Sequence, residues 1–336
     1  MPNVCVQCFS DTELVGFIRS QSNLDQCHFC DRMNVECLPI EELYDFFDEL
    51  LENFNRNVNG LPLITLIQGN WTLFSSNNHA IKILNFVISE NGKDFNSAND
   101  LVDFSDEILK NVNYWDILKN QLIRERRYLT DIDFLVYDLG WDGFFRSQDL
   151  LSKNEILYRG RIHHQTLQDA FSNEEMFSPS WDKSTAGRAN PLGIPYLYLC
   201  DNVETIFYEI RASYQDEVSI GSFRLKEELT TEVFISDFTK GSTIFHPSEV
   251  SFKIKSTLLK QKISRDLSKP MRRYDSELDY IPTQFICEFI KMYTGVQGIK
   301  FKSSLHNGTN IVIFNERILT CFNVTLKKVK RLKFFF

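Results

Sequence analysis

The sequence predicts an α+β fold in three parts: a cysteine knuckle over residues 1–40, a helical region over 41–150, and a mixed domain of strands and short helices over 151–336. Three observations carry this prediction. Two C-x2-C pairs, Cys5/Cys8 and Cys27/Cys30, stand with 18 residues between them. Between Ile40 and Tyr128, apolar residues recur at the three-to-four spacing of a helix face. After Glu155 the pattern changes to short runs that alternate, the period of a strand.

Each C-x2-C pair sets two thiolates on one tight turn, and two such turns complete a tetrahedral shell of four sulfurs. The knuckle is therefore expected to be zinc-ribbon-like, with Cys5, Cys8, Cys27 and Cys30 as ligands of a structural zinc. Unligated thiols and a disulfide framework are the competing readings, and His28 and Cys37 are spare ligands. Asp11 opens a short helix with Leu14, Phe17 and Ile18 on one face. From Ile40 to about Asn55, Leu43, Phe46, Phe47, Leu50 and Leu51 form an amphipathic stripe. Leu61–Leu66 is apolar with no clear period. Ala80–Ile88 and Ser105–Tyr128 predict helices; the second ends on Arg124-Glu125-Arg126-Arg127, positive charge that suits a helix C-terminus. Gly140-Trp141-Asp142-Gly143 has the composition of a linker, and the last boundary is expected near Gln148–Asn154.

In the third part, strands are expected at Leu157–Ile162, Tyr196–Cys200, Val218–Leu225, Glu232–Phe238, Gly298–Lys302 and Asn310–Phe314. Helices are expected from Asp201, over Val250–Lys260 and over Ile281–Tyr293. Asp201 and Glu204 have the spacing of a capping box. The end, Lys327–Phe336, is basic and then aromatic, and is expected to be a solvated last strand.

Composition narrows the function classes. An apolar content of 43% with 29 phenylalanines supports well-filled cores. A net charge of −8 argues against nucleic acid as a partner. The first residues have no basic segment followed by an apolar one, and no apolar run reaches membrane-spanning length, so a cytoplasmic location is expected. In that compartment the eight cysteines are expected to be reduced or metal-bound.

The densest group of chemically able side chains runs from Leu157 to Glu209. Strand periodicity puts Arg159 and Arg161 on one face, where paired guanidiniums can grip phosphate oxygens or form surface ion pairs. Tyr196 and Tyr198 share a face opposite Leu197 and Leu199. Arg188 lies in the Gly/Pro-rich loop before them. Glu209 borders the apolar stripe of its helix, as an ion-pair partner or a functional carboxylate. Much later, Ser303 follows the apolar side of its strand and Ser304 the other.

These motifs, in this order, resemble the RES domain: Tyr158-Arg159-Gly160-Arg161, then Gly187-Arg188-Ala189-Asn190-Pro191 through Tyr198-Leu199, then Glu209, then Gly298-Ile299-Lys300-Phe301-Lys302-Ser303-Ser304. The resemblance covers roughly Glu155 to Phe314, and the cysteine knuckles with the following helices look like the N-terminal region of a subset of RES proteins. It implies an ADP-ribosyltransferase-like C-terminal domain that consumes NAD. Several members are toxins, often neutralised by an antitoxin. Carried over by position, the resemblance implies Arg159, Glu209 and Ser303 as catalytic residues, with Arg161 and Ser304 as stand-ins for the first and last. Tyr198 would belong to the pocket and Arg188 would contact phosphate.

The function so implied is an NAD-degrading enzyme that cleaves the nicotinamide N-glycosidic bond, as glycohydrolase or phosphorylase, in a toxin or defence effector. The expected partners are NAD, an antitoxin or regulatory protein, and further copies of the chain, with no membrane and no nucleic acid. Three alternatives stay open: a protein ADP-ribosyltransferase, an inactive zinc-stapled binding module, and a HEPN-type ribonuclease suggested by the Arg159-x4-His164 spacing. In that last family the motif sits on a helix, whereas here it follows a strand pattern.

Overall fold

The structure is a computed structural model and describes residues 2–91, 94–146, 149–165, 169–241, 243–270 and 277–330. The chain divides into two compact units, Met1–Trp115 with Gly241–Leu259, and Asp116–Lys240 with Lys260–Phe336. The α+β class expected from the sequence holds.

The first unit opens with β1 (Asn3–Cys5), α1 (Thr12–Gln21), β2 (Asn23–Asp25) and β3 (Val35–Pro39), and its three strands form an antiparallel sheet in the order β1-β3-β2. Asp11 caps α1, accepting from the backbone N–H groups of Glu13 and Leu14 with Oδ1. Its Oδ2 accepts from Ile244 and Phe245 N–H groups. Four backbone donors explain how a buried carboxylate is tolerated there. A 3-10 turn over Ile40–Leu43 leads into α2 (Tyr44–Glu52), followed by β4 (Phe54–Pro62), α3 (Leu63–Trp71), α4 (Asn77–Asn91), β5 (Leu101–Phe104) and α5 (Asp106–Arg124, of which the residues to Trp115 belong to this unit). The apolar run Leu61–Leu66 had no single period because it straddles the end of β4 and the start of α3, with Pro62 at the junction. Phe46, Phe47, Phe74 and Phe245 stack through the core of this unit, with centroids 5.1–6.4 Å apart.

In the second unit, α6 (Trp141–Phe145) replaces the linker expected at Gly140–Gly143. Trp141, Phe144 and Phe145 are buried, and Gly140 takes φ +69° to turn the chain into the helix. Gly140 is needed for this left-handed backbone and not for packing, since a Cβ there would meet nothing within 4 Å. Then come β6 (Leu157–Ile162), β7 (Leu197–Cys200), α7 (Val203–Glu209), β8 (Glu217–Leu225), β9 (Ser236–Asp237), α8 (Val250–Ser268, of which the residues from Lys260 belong to this unit), α9 (Ile281–Tyr293), β10 (Gly298–Lys302), β11 (Thr309–Ile313) and β12 (Leu319–Lys328). Strands β6 to β12 form a seven-stranded sheet in the order β12-β8-β6-β7-β11-β10-β9. It is antiparallel except where β9 runs parallel to β10.

Several elements differ in length from expectation, among them α4 and α5, β9 and α8. The strand expected over Glu232–Phe238 shrinks to Ser236–Asp237, because it lies at the sheet edge and has only β10 to pair with. The helix expected to stop at Lys260 runs to Ser268, as Ile263 and Leu267 continue its buried stripe. Of the last strand expected over Lys327–Phe336, only Lys327 and Lys328 are in a strand, as the end of β12, which begins earlier at Leu319; residues 331–336 lie outside the described residues. Among the described residues, no helix is long and apolar enough to cross a membrane.

Candidate active site and cysteine cluster

The site begins where the large sheet forks. Strand β6 pairs with β8 along all six of its residues, but with β7 at Tyr158–Cys200 alone. Beyond that pair, β6 and β7 part. One face of the sheet is closed by Leu157, Leu197, Leu199, Phe223, Ile311 and Ile313. The other is covered by α7, whose Ile206 packs with Val218 and Ile220. Gly160 permits this: a Cβ there would overlap Ile206 Cγ2, so any larger residue would lift α7 from the sheet. A cavity of about 320 Å³ opens at the fork, walled by Gly160, Arg188, Tyr198, Glu209, Phe301 and Asn310 among others. That volume is at the lower end of ligand sites, about 300–1,000 Å³.

Glu209 is the last residue of α7 and is half-buried. Its Oε1 accepts from Ser303 Oγ at 2.6 Å and from Asn310 Nδ2 at 2.8 Å. Ser303 Oγ itself accepts from the N–H groups of Leu305 at 3.1 Å and His306 at 3.2 Å. With both lone pairs engaged, its proton can go only to the carboxylate. Glu209 Oε2 takes no hydrogen bond from the described residues. Ser303 thus reaches the site through Glu209, while Ser304 and Lys302 sit exposed at the cavity rim.

The arginines separate. Arg159 lines the cavity, and its Nη1 is buried with no hydrogen-bond partner among the described residues. Burial, and then the like charge of Arg161, pull its pKa down to about 10, with Glu316 acting in the opposite direction. Arg161 is not a lining residue; its Nη1 donates to the Glu175 carbonyl and its guanidinium lies 4.5 Å from the centre of the Phe171 ring. Arg188 lines the cavity, donates from Nη1 to the Leu267 carbonyl at 2.9 Å and stands 6.0 Å from the Tyr280 ring. Burial lowers its pKa, against the attraction of Tyr280 and Glu209.

Tyr198 forms a wall of the cavity. Its phenol donates to Asn190 Oδ1 at 2.8 Å and accepts from Ala189 N–H at 2.9 Å, and burial holds it protonated well above the usual tyrosine range. Gly187 makes room for this clasp, since a Cβ there would come within 2.6 Å of both the phenol oxygen and Asn190 Oδ1. The loop carrying Arg188 is therefore tied to β7 by two bonds to Tyr198 from the residues just after the arginine, Ala189 and Asn190.

One expectation near the site is corrected and one agrees with the structure. Helix α7 is capped by Asn202, whose Oδ1 accepts from Thr205 N–H, and not by Asp201. The helix starts one residue later than expected, and Asp201 instead accepts from Thr309 N–H and Oγ1, joining α7 to β11. The ribonuclease-like Arg159/His164 spacing falls on a central strand and the exposed residue after it, not on a helix. Sequence reasoning missed Asn310 and Cys200. Both are polar positions on strands that otherwise alternate toward a core, and that periodicity was the available signal.

The second convergence lies in the first unit. The sulfurs of Cys5, Cys8, Cys27 and Cys30 lie within 4.8 Å of one another, and Cys5–Cys8, Cys5–Cys30 and Cys8–Cys27 are 3.8, 3.6 and 3.7 Å apart. A tetrahedral site with Zn–S bonds of about 2.3 Å separates its sulfurs by about 3.8 Å, so the four thiols fit such an ion. The spare candidates do not join: Cys37 is directed to the Asp25 carbonyl and His28 Nδ1 accepts from Asn3 N–H.

No curated protein matches this chain. Among solved structures, a chain of the M. tuberculosis MbcT-MbcA toxin-antitoxin complex is similar over 56% of this chain and 92% of its own length, at 12% identity and a TM-score of 0.32. Residues 156–331 match the RES domain family, just over half of the chain and all seven strands of the forked sheet. The chain belongs to the RES domain family.

Proposed function

We propose that the protein degrades NAD by breaking the bond between nicotinamide and ribose. The observation that carries this reading is the Glu209 carboxylate, fixed through Oε1 and facing a cavity whose walls also hold Arg159 and Arg188. Departure of nicotinamide leaves positive charge on the ribose, and a preorganised carboxylate beside it lowers the barrier electrostatically. In this reading Ser303 orients Glu209. Arg159, Arg188 and the rim Lys302 give the walls a positive balance that complements the pyrophosphate. Arg161, outside the cavity, has no role in binding. The fork between β6 and β7 leaves backbone groups without a ladder partner among the described residues, and a carboxamide, with one donor end and one acceptor end, is their complement. Tyr198 borders the nicotinamide ring, and Ser304 lies where the ligand leaves the cavity.

With water as acceptor, NAD and water give nicotinamide, ADP-ribose and a proton. Phosphate or a protein side chain as acceptor changes only the second product. We further propose that the cysteine cluster holds zinc with a structural role, and that the enzyme acts as a toxin restrained by a protein partner, since unrestrained loss of NAD would harm its own cell. The test is incubation of purified protein with NAD, followed by chromatography of the products. Nicotinamide release that stops in Glu209→Gln supports the reading; intact NAD at high enzyme concentration overturns it. The identity of the second product distinguishes glycohydrolase, phosphorylase and protein ADP-ribosyltransferase.

A further inference from the structure

We propose that Asn310 is a positioning residue for Glu209, and that Cys200, opposite it on the neighbouring strand, fixes the sense of its carboxamide. The inference rests on Glu209 being the carboxylate that acts on substrate. Asn310 and Cys200 are direct partners in the β11–β7 ladder, so their side chains rise from the same face of the sheet, side by side. Asn310 bridges two groups. Its Nδ2 donates to Glu209 Oε1 at 2.8 Å, and its Oδ1 accepts from Cys200 Sγ at 3.2 Å. A carboxamide has unlike ends, and only this orientation satisfies both neighbours. Flipped, Oδ1 would face the carboxylate, acceptor against acceptor.

The thiol can supply its proton. Burial, with Glu209 and Asp201 nearby, pushes the Cys200 pKa up to about 12, so the S–H bond persists across the physiological range. Ser303 and Asn310 then bind the same carboxylate oxygen from two different segments, the β10–β11 loop and β11 itself. One donor would leave the carboxylate free to swing about that bond. Two restrain it and leave Oε2 for the ligand. The bridge also joins α7 to both strands on which the cavity floor rests.

The test uses the full-length protein in two arms. In the first, NAD turnover is measured for Asn310→Ala, Cys200→Ala and Cys200→Ser. Loss of a group that only aims another should lower kcat with little change in KM, so Asn310→Ala is expected to lose about 10- to 100-fold in kcat with KM within about threefold. Cys200→Ala is expected to lose about 3- to 10-fold, and Cys200→Ser, which keeps a donor, less than Cys200→Ala. A kcat for Asn310→Ala within twofold of wild type, or a loss carried by KM alone, overturns the proposal. The second arm needs no turnover: the side-chain amide resonances of Asn310 should move in both Glu209→Gln and Cys200→Ala. If neither variant moves them, the bridge does not exist in solution. If wild type leaves NAD intact while both variants move those resonances, the NAD reading fails and the bridge stands.

Discussion

The cysteine cluster and the forked cavity are both places where side chains converge, but they converge by different physics. The cluster gathers four identical groups from 26 residues of chain, Cys5 to Cys30, and a single ion would satisfy all of them. The cavity gathers unlike groups from a much longer stretch, Arg159 to Asn310, and those that are held, such as Arg188, Tyr198 and Glu209, are held by different neighbours. A closed shell of equal ligands stabilises a fold. An open wall of unequal groups, one of them an arginine whose buried Nη1 has no hydrogen-bond partner among the described residues, costs stability and leaves interactions for a ligand to complete. The two regions should therefore respond in opposite ways to substitution.

The largest expected effect is loss of the metal. Cys8→Ser should strip zinc from the protein, measured by metal analysis, and destabilise the first unit by several kcal/mol, given that structural zinc contributes about 10–16 kcal/mol in isolated zinc-finger peptides. Undiminished zinc would remove the basis of the contrast. Next, Glu209→Gln should reduce NAD turnover about 10²- to 10³-fold with an unchanged melting temperature, since the amide keeps shape but not charge.

Arg159→Met sharpens the comparison because its two readouts should diverge. Burial depresses the folded-state pKa of this base to about 10, well below the usual arginine range. Folding therefore disfavours the charged form. The cost is fully present at neutral pH and fades only as pH rises through about 10. Replacing the guanidinium by an apolar side chain should raise stability by about 1–3 kcal/mol in thermal denaturation while lowering NAD turnover. A fall in stability would mean that the buried charge is paired. The smallest effects separate the remaining arginines. Arg188→Ala should raise KM for NAD by about tenfold, and Arg161→Ala by less than about threefold, as expected for a lost phosphate contact against a surface arginine. Equal effects would contradict the division between lining and outlying residues.

The same contrast explains how much was legible in the sequence. The cluster was readable because its geometry is local: C-x2-C spacing dictates turn-sized separations whatever the rest of the chain does. The strands around the site were readable from period-two alternation, and β6, β10 and α9 have the expected bounds. Motif resemblance located Glu209 and Ser303, which the structure joins by a hydrogen bond across 94 residues of sequence. The fork was invisible, because a missing ladder between β6 and β7 is a tertiary fact with no local pattern. So was the separation of Arg159 from Arg161, since periodicity gives both the same face and only the cavity's position along β6 tells them apart. Asn310 was hidden for a related reason: its role depends on which residue faces it across the ladder. Trp141 was misread because glycines on either side suggested flexibility, while the indole between them is buried.

The most direct test of the account is the amount of nicotinamide that purified wild-type protein and Glu209→Gln release from NAD under identical conditions. The account predicts one nicotinamide for each NAD consumed by wild type and almost none from the variant at equal folded concentration. Equal release by both proteins, or none by either, would contradict it.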